Sequence, residues 1–299
     1  MIPYVRKFDF AYGRPDAVSP LVRRVIAENP GPFTFTGTGT YIVGQGEVAV
    51  IDPGPSLPAH LQAIQAATAS ERIAAICITH THLDHSPLAG PLAKLSGAAV
   101  FGLPPPRLED AAIRLDEGHD RGFAPAVLVA DGQHITGPGW TLEAVTTPGH
   151  ASNHVCYALL EENALFSGDH VMGWSTTVVS PPDGDMGDYY ASLDKVAARG
   201  FSRLYPTHGP PVEDPAPFLE AYRAHRLERE RQILAQLDAG RRHISEMVPE
   251  IYADVDPSLH PAAAHSVLAH LIQLVRDGRA VSDGPPGRAS AYTPARPQG

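Results

Sequence analysis

Between residues 80 and 85 the chain reads HTHLDH, so His80, His82, Asp84 and His85 crowd into six positions. Three imidazoles side by side bury poorly and repel one another once protonated. A metal ion gives them a common centre, because neutral imidazole and carboxylate are ordinary ligands of zinc and its neighbours. A solvated histidine-rich loop is the plain alternative. One cluster does not complete a two-metal site, so the metal reading requires more ligands at the ends of later strands.

They are present. TTPGHASNH places His150 after an apolar run at 140–146, LFSGDH places Asp169 after one at 163–167, and YPTHGP places His208 after the run that opens at 203. Each lies beside glycine, where the backbone can bend to aim a side chain into a cleft. Two divalent cations held together share a water, lower its pKa towards neutrality and make hydroxide available for attack on a carbonyl carbon or a phosphorus. Asp84 is the expected general base beside its ligand role. The donors are nitrogen and oxygen only, so the expected cofactor is two divalent metal ions, zinc by default, with manganese or iron admissible.

The elements that must position these groups follow from periodicity. Runs at 40–44 and 47–54 read as a hairpin ending at Asp52-Pro53-Gly54. A helix is expected over 58–67, a strand over 73–78, and a second helix opening at Ser86-Pro87, a serine cap followed by proline. Strands are expected at 98–102, 126–130, 140–146, 154–160 and 163–167, a helix at 188–199 and a strand opening at 203. This is an α/β layered domain over 1–212. The stretch GPPVEDPAP (209–217) reads as a linker. A helix over 218–240 closing at Gly240, two further helices and a short hairpin then suggest a winged-helix-like C-terminal module over 213–292, with 293–299 a frayed tail.

Composition narrows the partners. The 299 residues carry a formal net charge of −10, which argues against broad adhesion to nucleic acid or anionic membrane. No apolar stretch approaches the roughly 18–20 residues of a membrane helix, and the start lacks a secretory h-region. Cys77 and Cys156, each in a strand-like apolar run, are expected to be buried and reduced, which fits a cytoplasmic address.

HxHxDH, TPGH, SGD and THG, in this order, resemble the metallo-β-lactamase-fold hydrolases. The resemblance implies a four-layer αβ/βα sandwich with two metals at one edge. It assigns His80, His82 and His150 to the first metal, Asp84, His85 and His208 to the second, and Asp169 to a bridge between them. Asp52 matches an acid that sits behind the ligands and orients their loop. Tyr222, His225, Arg226, Arg229, Gln232 and Ile233 resemble the tail of the β-lactamase-like protein 2 branch, which is related to endoribonucleases, and a glyoxalase II-like thioesterase is the neighbouring reading. The expected substrate is therefore a small-molecule ester or thioester, or a phosphodiester in single-stranded RNA, with a homodimer left open. His170, Arg223, Arg226 and Arg229 are the candidate substrate contacts, since guanidinium forks suit phosphate oxygens. The chain has no cysteine at Asp169 and no signal peptide, unlike dedicated periplasmic lactamases. It has no glutamate at His82, unlike flavodiiron relatives. A persulfide dioxygenase-type iron oxygenase and a non-enzymatic metal-binding interaction module are the remaining alternatives, the latter disfavoured because all seven ligand positions are filled.

Overall fold

The computed structural model describes residues 2–108 and 118–295. Seven strands join in chain order into one sheet: β1 (Asp16–Ala17), β2 (Val22–Ile26), β3 (Gly39–Gln45), β4 (Glu47–Ile51), β5 (Arg72–Cys77), β6 (Ala99–Gly102) and β7 (Val127–Leu128). β1 to β4 are antiparallel and β4 to β7 are parallel. A second sheet contains β8 (His134–Gly137), β9 (Trp140–Thr146), β10 (Val155–Leu159), β11 (Ala164–Gly168) and β12 (Arg203–Pro206). Its pairs are antiparallel except β11 with β12.

The two sheets stack, and strand alternation shows how. In β4, Ala49 and Ile51 face the second sheet and pack with Leu142, Val155, Tyr157 and Phe166. Val48 and Val50 face the other way, against Ile64 of α1 (Pro58–Ala67) and Leu92 of α2 (Ala89–Ser96). Successive side chains of a strand point to opposite faces, so a strand covered on both sides must be apolar throughout. The outer face of the second sheet, with Cys156, Ala158 and Leu165, packs on α3 (Met186–Ala198) through Tyr189, Leu193 and Val196. The result is the expected four-layer αβ/βα sandwich. Both cysteines are buried free thiols.

The C-terminal part contains α4 (Pro215–Asp238), α5 (Ile244–Ile251), α6 (His260–Arg276) and a hairpin of β13 (Ala280–Ser282) with β14 (Tyr292–Pro294). α4 belongs to two cores. Phe218, Leu219 and Tyr222 join the second sheet and α3, whereas Ile233 and Leu237 pack with Met247, Leu271 and Tyr292. Among the described residues no helix is long and apolar enough to cross a membrane.

Several expected boundaries move, for identifiable reasons. α2 begins at Ala89 and has no side-chain cap, because the Ser86 N–H donates to the His82 carbonyl at 3.2 Å and closes the preceding loop as a turn. A cap is worth about 1 kcal/mol; burial of Leu92 holds this helix instead. The 209–217 stretch is no free linker: Val212 pairs with Leu204 beside β12, and Pro215 already opens α4. Thr293 and Pro294, expected in the frayed tail, pair with Val281 and Ala280, while 296–299 lie outside the described residues. β2 and β8 carry no expectation from the sequence.

On α1, His60 is 4% exposed and its Nε2 lies 2.8 Å from Thr40 Oγ1. Burial lowers its pKa from 6.5 to about 4. The unfolded chain therefore binds this proton more readily than the folded one. The stability contribution is present above pH 6.5 and is lost as pH falls towards 4. By linkage it amounts to about 2 kcal/mol between pH 7 and pH 5. Urea midpoints of wild type and His60→Gln at both pH values check this: the wild type is expected to lose more stability on acidification than the variant, and equal losses contradict it.

Candidate metal centre

β4 and β5 run parallel, so their C-terminal ends open on the same edge of the first sheet. β9 and β11 are each antiparallel to β10, and β12 is parallel to β11. Their C-terminal ends therefore share one edge too. Asp52 follows β4, residues 80–85 follow β5, His150 follows β9, Asp169 follows β11, and His208 follows β12. Two glycines hold the bends. Gly149 has φ +138°, and a Cβ there would lie 2.4 Å from the Tyr189 Cα; Gly168 has φ +52°, and its Cβ would lie 2.5 Å from His154 Nε2. No other residue reaches these positions without displacing what packs on them.

The seven predicted ligand side chains come together. His80 Nε2 lies 2.9 Å from His82 Nδ1, which lies 3.2 Å from His150 Nε2. Asp84 Oδ2 lies 3.3 Å from His85 Nε2 and 3.1 Å from His208 Nε2. Asp169 stands between these groups, with Oδ1 3.4 Å from His208 Nε2 and 3.6 Å from His85 Nε2, and Oδ2 3.8 Å from His150 Nε2. Three sets (His80, His82 and His150; His80, His85 and Asp169; Asp84, His85 and His208) each offer ligand atoms within 4.8 Å of one another.

Hydrogen bonds at the far side of the rings fix which nitrogen faces inward. A carbonyl only accepts, so His150 Nδ1–H donates to the Val178 carbonyl at 2.6 Å and His208 Nδ1–H to the Gly37 carbonyl at 3.3 Å. His85 Nδ1 lies 2.8 Å from Asp52 Oδ2. Each Nε2 is thereby the nitrogen turned towards the centre, where a metal ion would take the place of its proton. Asp52 also accepts from the Thr79 N–H at 2.8 Å, Thr79 Oγ1 at 2.7 Å and Thr207 Oγ1 at 3.2 Å. It thus ties the ends of β4, β5 and β12 together.

The electrostatics ask for a cation. Burial favours the neutral acid most strongly at Asp84 and Asp169, yet His85 and His208 hold both carboxyls well below the usual range. Burial likewise opposes charge on His208, but Asp169 and Asp84 push its pKa up to about 10. His80 is held well below 6.5 by burial and by His85, His82 and His150, so it stays a neutral donor. His85 Nε2 and Asp169 Oδ1 are buried without a hydrogen-bond partner. Buried groups without partners, in an all-nitrogen and oxygen set beside two carboxylates that gather positive charge, fit divalent metal ions.

The candidate contacts divide. Arg226 and Arg229 line a cavity of about 370 Å³ that also reaches His82, Asp84, His150 and His208, so the first C-terminal helix borders the cleft as expected. Arg223 does not: it turns to Asp194 at 2.7 Å on α3. His170 is also a correction. It is fully buried, its pKa falls to about 3 chiefly through burial, and it packs on Tyr189 away from the cavity.

Other participants surround the ligands; of these His154 stands four residues after His150 in the sequence, and the rest carry no spacing signal. Thr38 Oγ1 donates to Asp84 Oδ2 at 3.1 Å. His154 Nε2 accepts from the Asp169 N–H at 3.1 Å. His119 packs on His82 with ring centres 4.7 Å apart, and its Nε2 lies 3.2 Å from Asp183 Oδ2. Asp183 in turn accepts from Ser152 Oγ at 2.5 Å, two residues after His150. Only the folded chain brings these together.

Residues 34–208 match the family model described as the metallo-beta-lactamase superfamily, and residues 244–288 match the beta-lactamase associated winged helix domain. A Caenorhabditis elegans protein named beta-lactamase-like protein 2 homolog is 33% identical over 268 residues, covering 88% of this chain and 87% of that protein. An Aspergillus chevalieri protein named atrochrysone carboxyl ACP thioesterase is 34% identical over 276 residues, covering 89% and 84%. Among solved structures, a metallo-beta-lactamase family protein from Thermus thermophilus superposes with a TM-score of 0.75 at 24% identity, covering 93% of this chain and 100% of that one. A beta-lactamase domain protein from Burkholderia ambifaria gives 0.79 at 19%, covering 98% and 97%. These two likenesses concern the fold.

Proposed function

The chain belongs to the metallo-β-lactamase superfamily, and from that premise we propose a dinuclear metallohydrolase that cleaves the ester or thioester bond of a small acyl substrate. The observation that carries this is the cavity: it reaches Asp84, His150 and Asp169 at one end, and Phe33, Trp174 and Leu259 supply apolar wall elsewhere. Such a volume suits a small organic molecule, bound by apolar contact and oriented by a few polar groups. The similarity to a protein named a thioesterase supports the reading.

His80, His82 and His150 would hold one ion, Asp84, His85 and His208 the other, and Asp169 both, with zinc as the proposed metal. When bound, the ions would lower the pKa of a shared water and polarise the acyl carbonyl. The Asp84 carboxylate, which lines the cavity, takes the proton of the attacking water and passes it to the leaving thiol or alcohol. Phe35 stacks on Trp174, with ring centres 4.7 Å apart, and backs that part of the wall.

RNA cleavage is the second reading, resting on the C-terminal arginines. Its support is narrower than the sequence suggested, because Arg223 pairs with Asp194 and Arg226 is buried. A panel of acyl thioesters, esters, a lactone, a β-lactam and single-stranded RNA, each run with metal-loaded and metal-stripped enzyme, separates the readings. Metal-dependent thioester or ester cleavage with little salt dependence is expected. RNA cleavage that falls steeply with ionic strength, without acyl hydrolysis, would overturn the proposal.

A further inference from the structure

Two arginines face the cavity without a carboxylate beside them. The other arginines of α4 are matched: Arg223 pairs with Asp194 and Arg231 with Glu228, while Glu230 pairs with Arg279. Arg226 and Arg229 have no ion pair among the described residues, although Arg226 is only 3% exposed. Arg226 donates to the Thr177 carbonyl and lies over the Tyr189 ring at 5.1 Å. Arg229 donates to the Ile251 carbonyl at 3.1 Å and to Gln232 Oε1 at 2.8 Å, and lies 4.0 Å above the Tyr252 ring.

Carbonyl and ring contacts offset part of the desolvation of a guanidinium but do not neutralise it. Nor are the donors exhausted. The donors Arg226 Nε and Trp174 Nε1 are buried without hydrogen-bond partners, as is the ring nitrogen Nδ1 of His225, which can donate in one tautomer, and all three residues line the cavity. The acidic residues of the lining, Asp84 and Asp169, lie against His85 and His208 at the metal centre, with Asp84 Oδ2 3.1 Å and Asp169 Oδ1 3.4 Å from His208 Nε2. Unspent donors and unpaired positive charge in a largely apolar cavity fit an anionic group on the ligand.

We infer that Arg226 and Arg229, with His225 and Trp174, form an anion subsite, so that the preferred substrate is an acyl ester or thioester bearing a carboxylate or phosphate apart from the scissile carbonyl. The inference rests on the acyl-hydrolase reading. The carboxylate would belong to the acyl part and the phosphate to the leaving group.

Two selectivity ratios in kcat/KM distinguish the sources. One compares S-succinyl with S-butyryl N-acetylcysteamine; the other compares S-butyryl pantetheine 4′-phosphate with S-butyryl pantetheine. At least one ratio is expected to favour the anion by about 10-fold or more, as for a hydrogen bond to a charged group. That ratio should collapse towards unity in Arg229→Gln and persist in part in Arg229→Lys. Arg229 is chosen because it is partly exposed and its replacement is compatible with folding, checked by circular dichroism; Arg226→Gln serves as the buried counterpart. Ratios near unity in wild type, or unaltered in Arg229→Gln, overturn the subsite. If no thioester or ester is turned over, the acyl-hydrolase reading fails by itself. Calorimetry of glutarate and of inorganic phosphate with metal-loaded wild type and Arg229→Gln then decides the subsite. Binding about 10-fold weaker in the variant supports it, and equal binding overturns it.

Discussion

Replacing Asp169 by alanine is expected to lower kcat/KM by at least about 10³-fold and to reduce bound metal to one ion per chain or fewer. The reason is its position. One carboxylate oxygen faces His85 and His208, and the other faces His150, so this single side chain belongs to both halves of the centre. Two divalent ions about 3.5–4 Å apart repel strongly, and a shared anion is what makes that spacing tolerable. Under the proposed assignment a lost histidine would remove one ligand from one ion, whereas a lost Asp169 would remove a ligand from each and the charge between them. Elemental analysis alongside kinetics tests the assignment. His170→Gln is the control, since the adjacent His170 is buried away from the cavity, and its replacement should leave metal content intact. Full metal content in Asp169→Ala, or equal metal loss in His170→Gln, would remove Asp169 from the role.

Asp52→Ala should be the most destabilising single change in the site region, at about 3–5 kcal/mol. Asp52 is 1% exposed and is the acceptor for the Thr79 N–H, Thr79 Oγ1 and Thr207 Oγ1, as well as the partner of His85 Nδ1. Each buried donor left without an acceptor costs about 1–3 kcal/mol, reduced where the structure relaxes. A Tm fall of about 10 °C is the corresponding shift for a domain of this size. Freeing the His85 ring should also weaken metal binding about 10–100-fold. Asp52→Asn separates the two effects. Asparagine tolerates the φ of +48° at this position and its amide oxygen can still accept from Thr79, but its NH2 faces His85 Nδ1 as a second donor. Most stability should therefore return while metal affinity stays low. A variant at position 52 with unchanged Tm and unchanged metal affinity would contradict the role.

The chemistry of the centre was legible because it is local in sequence. HTHLDH puts four candidate ligands within one loop after an apolar run, and TPGH, SGD and THG each join a candidate ligand to a glycine at the end of a strand. The alternation and turn residues were enough to place most strands, since a strand covered on both faces reads as an unbroken apolar run. What surrounds the ligands was not legible. Thr38, His119 and Asp183 reach the centre from loops distant in sequence, and such contacts leave no periodic trace. The arginines show the same division. Arg223, Arg226 and Arg229 recur every three residues, and each step turns the helix by about 60° short of a full turn, so spacing alone cannot bring all three to one face. Which of them enters the cavity was decided by tertiary structure: α4 buries Tyr222, Arg226 and Ile233 against the second sheet, α3 and the C-terminal helices, which sends Arg223 out to Asp194. His170 follows Asp169 directly, yet the two diverge, because the chain turns just after β11: the His170 N–H donates back to the Ser167 carbonyl at 3.0 Å and its ring packs on Tyr189, whereas Asp169 lines the cavity. Residue type determined which groups could bind metal; the packing of two sheets and one shared helix determined which charges reach the cavity.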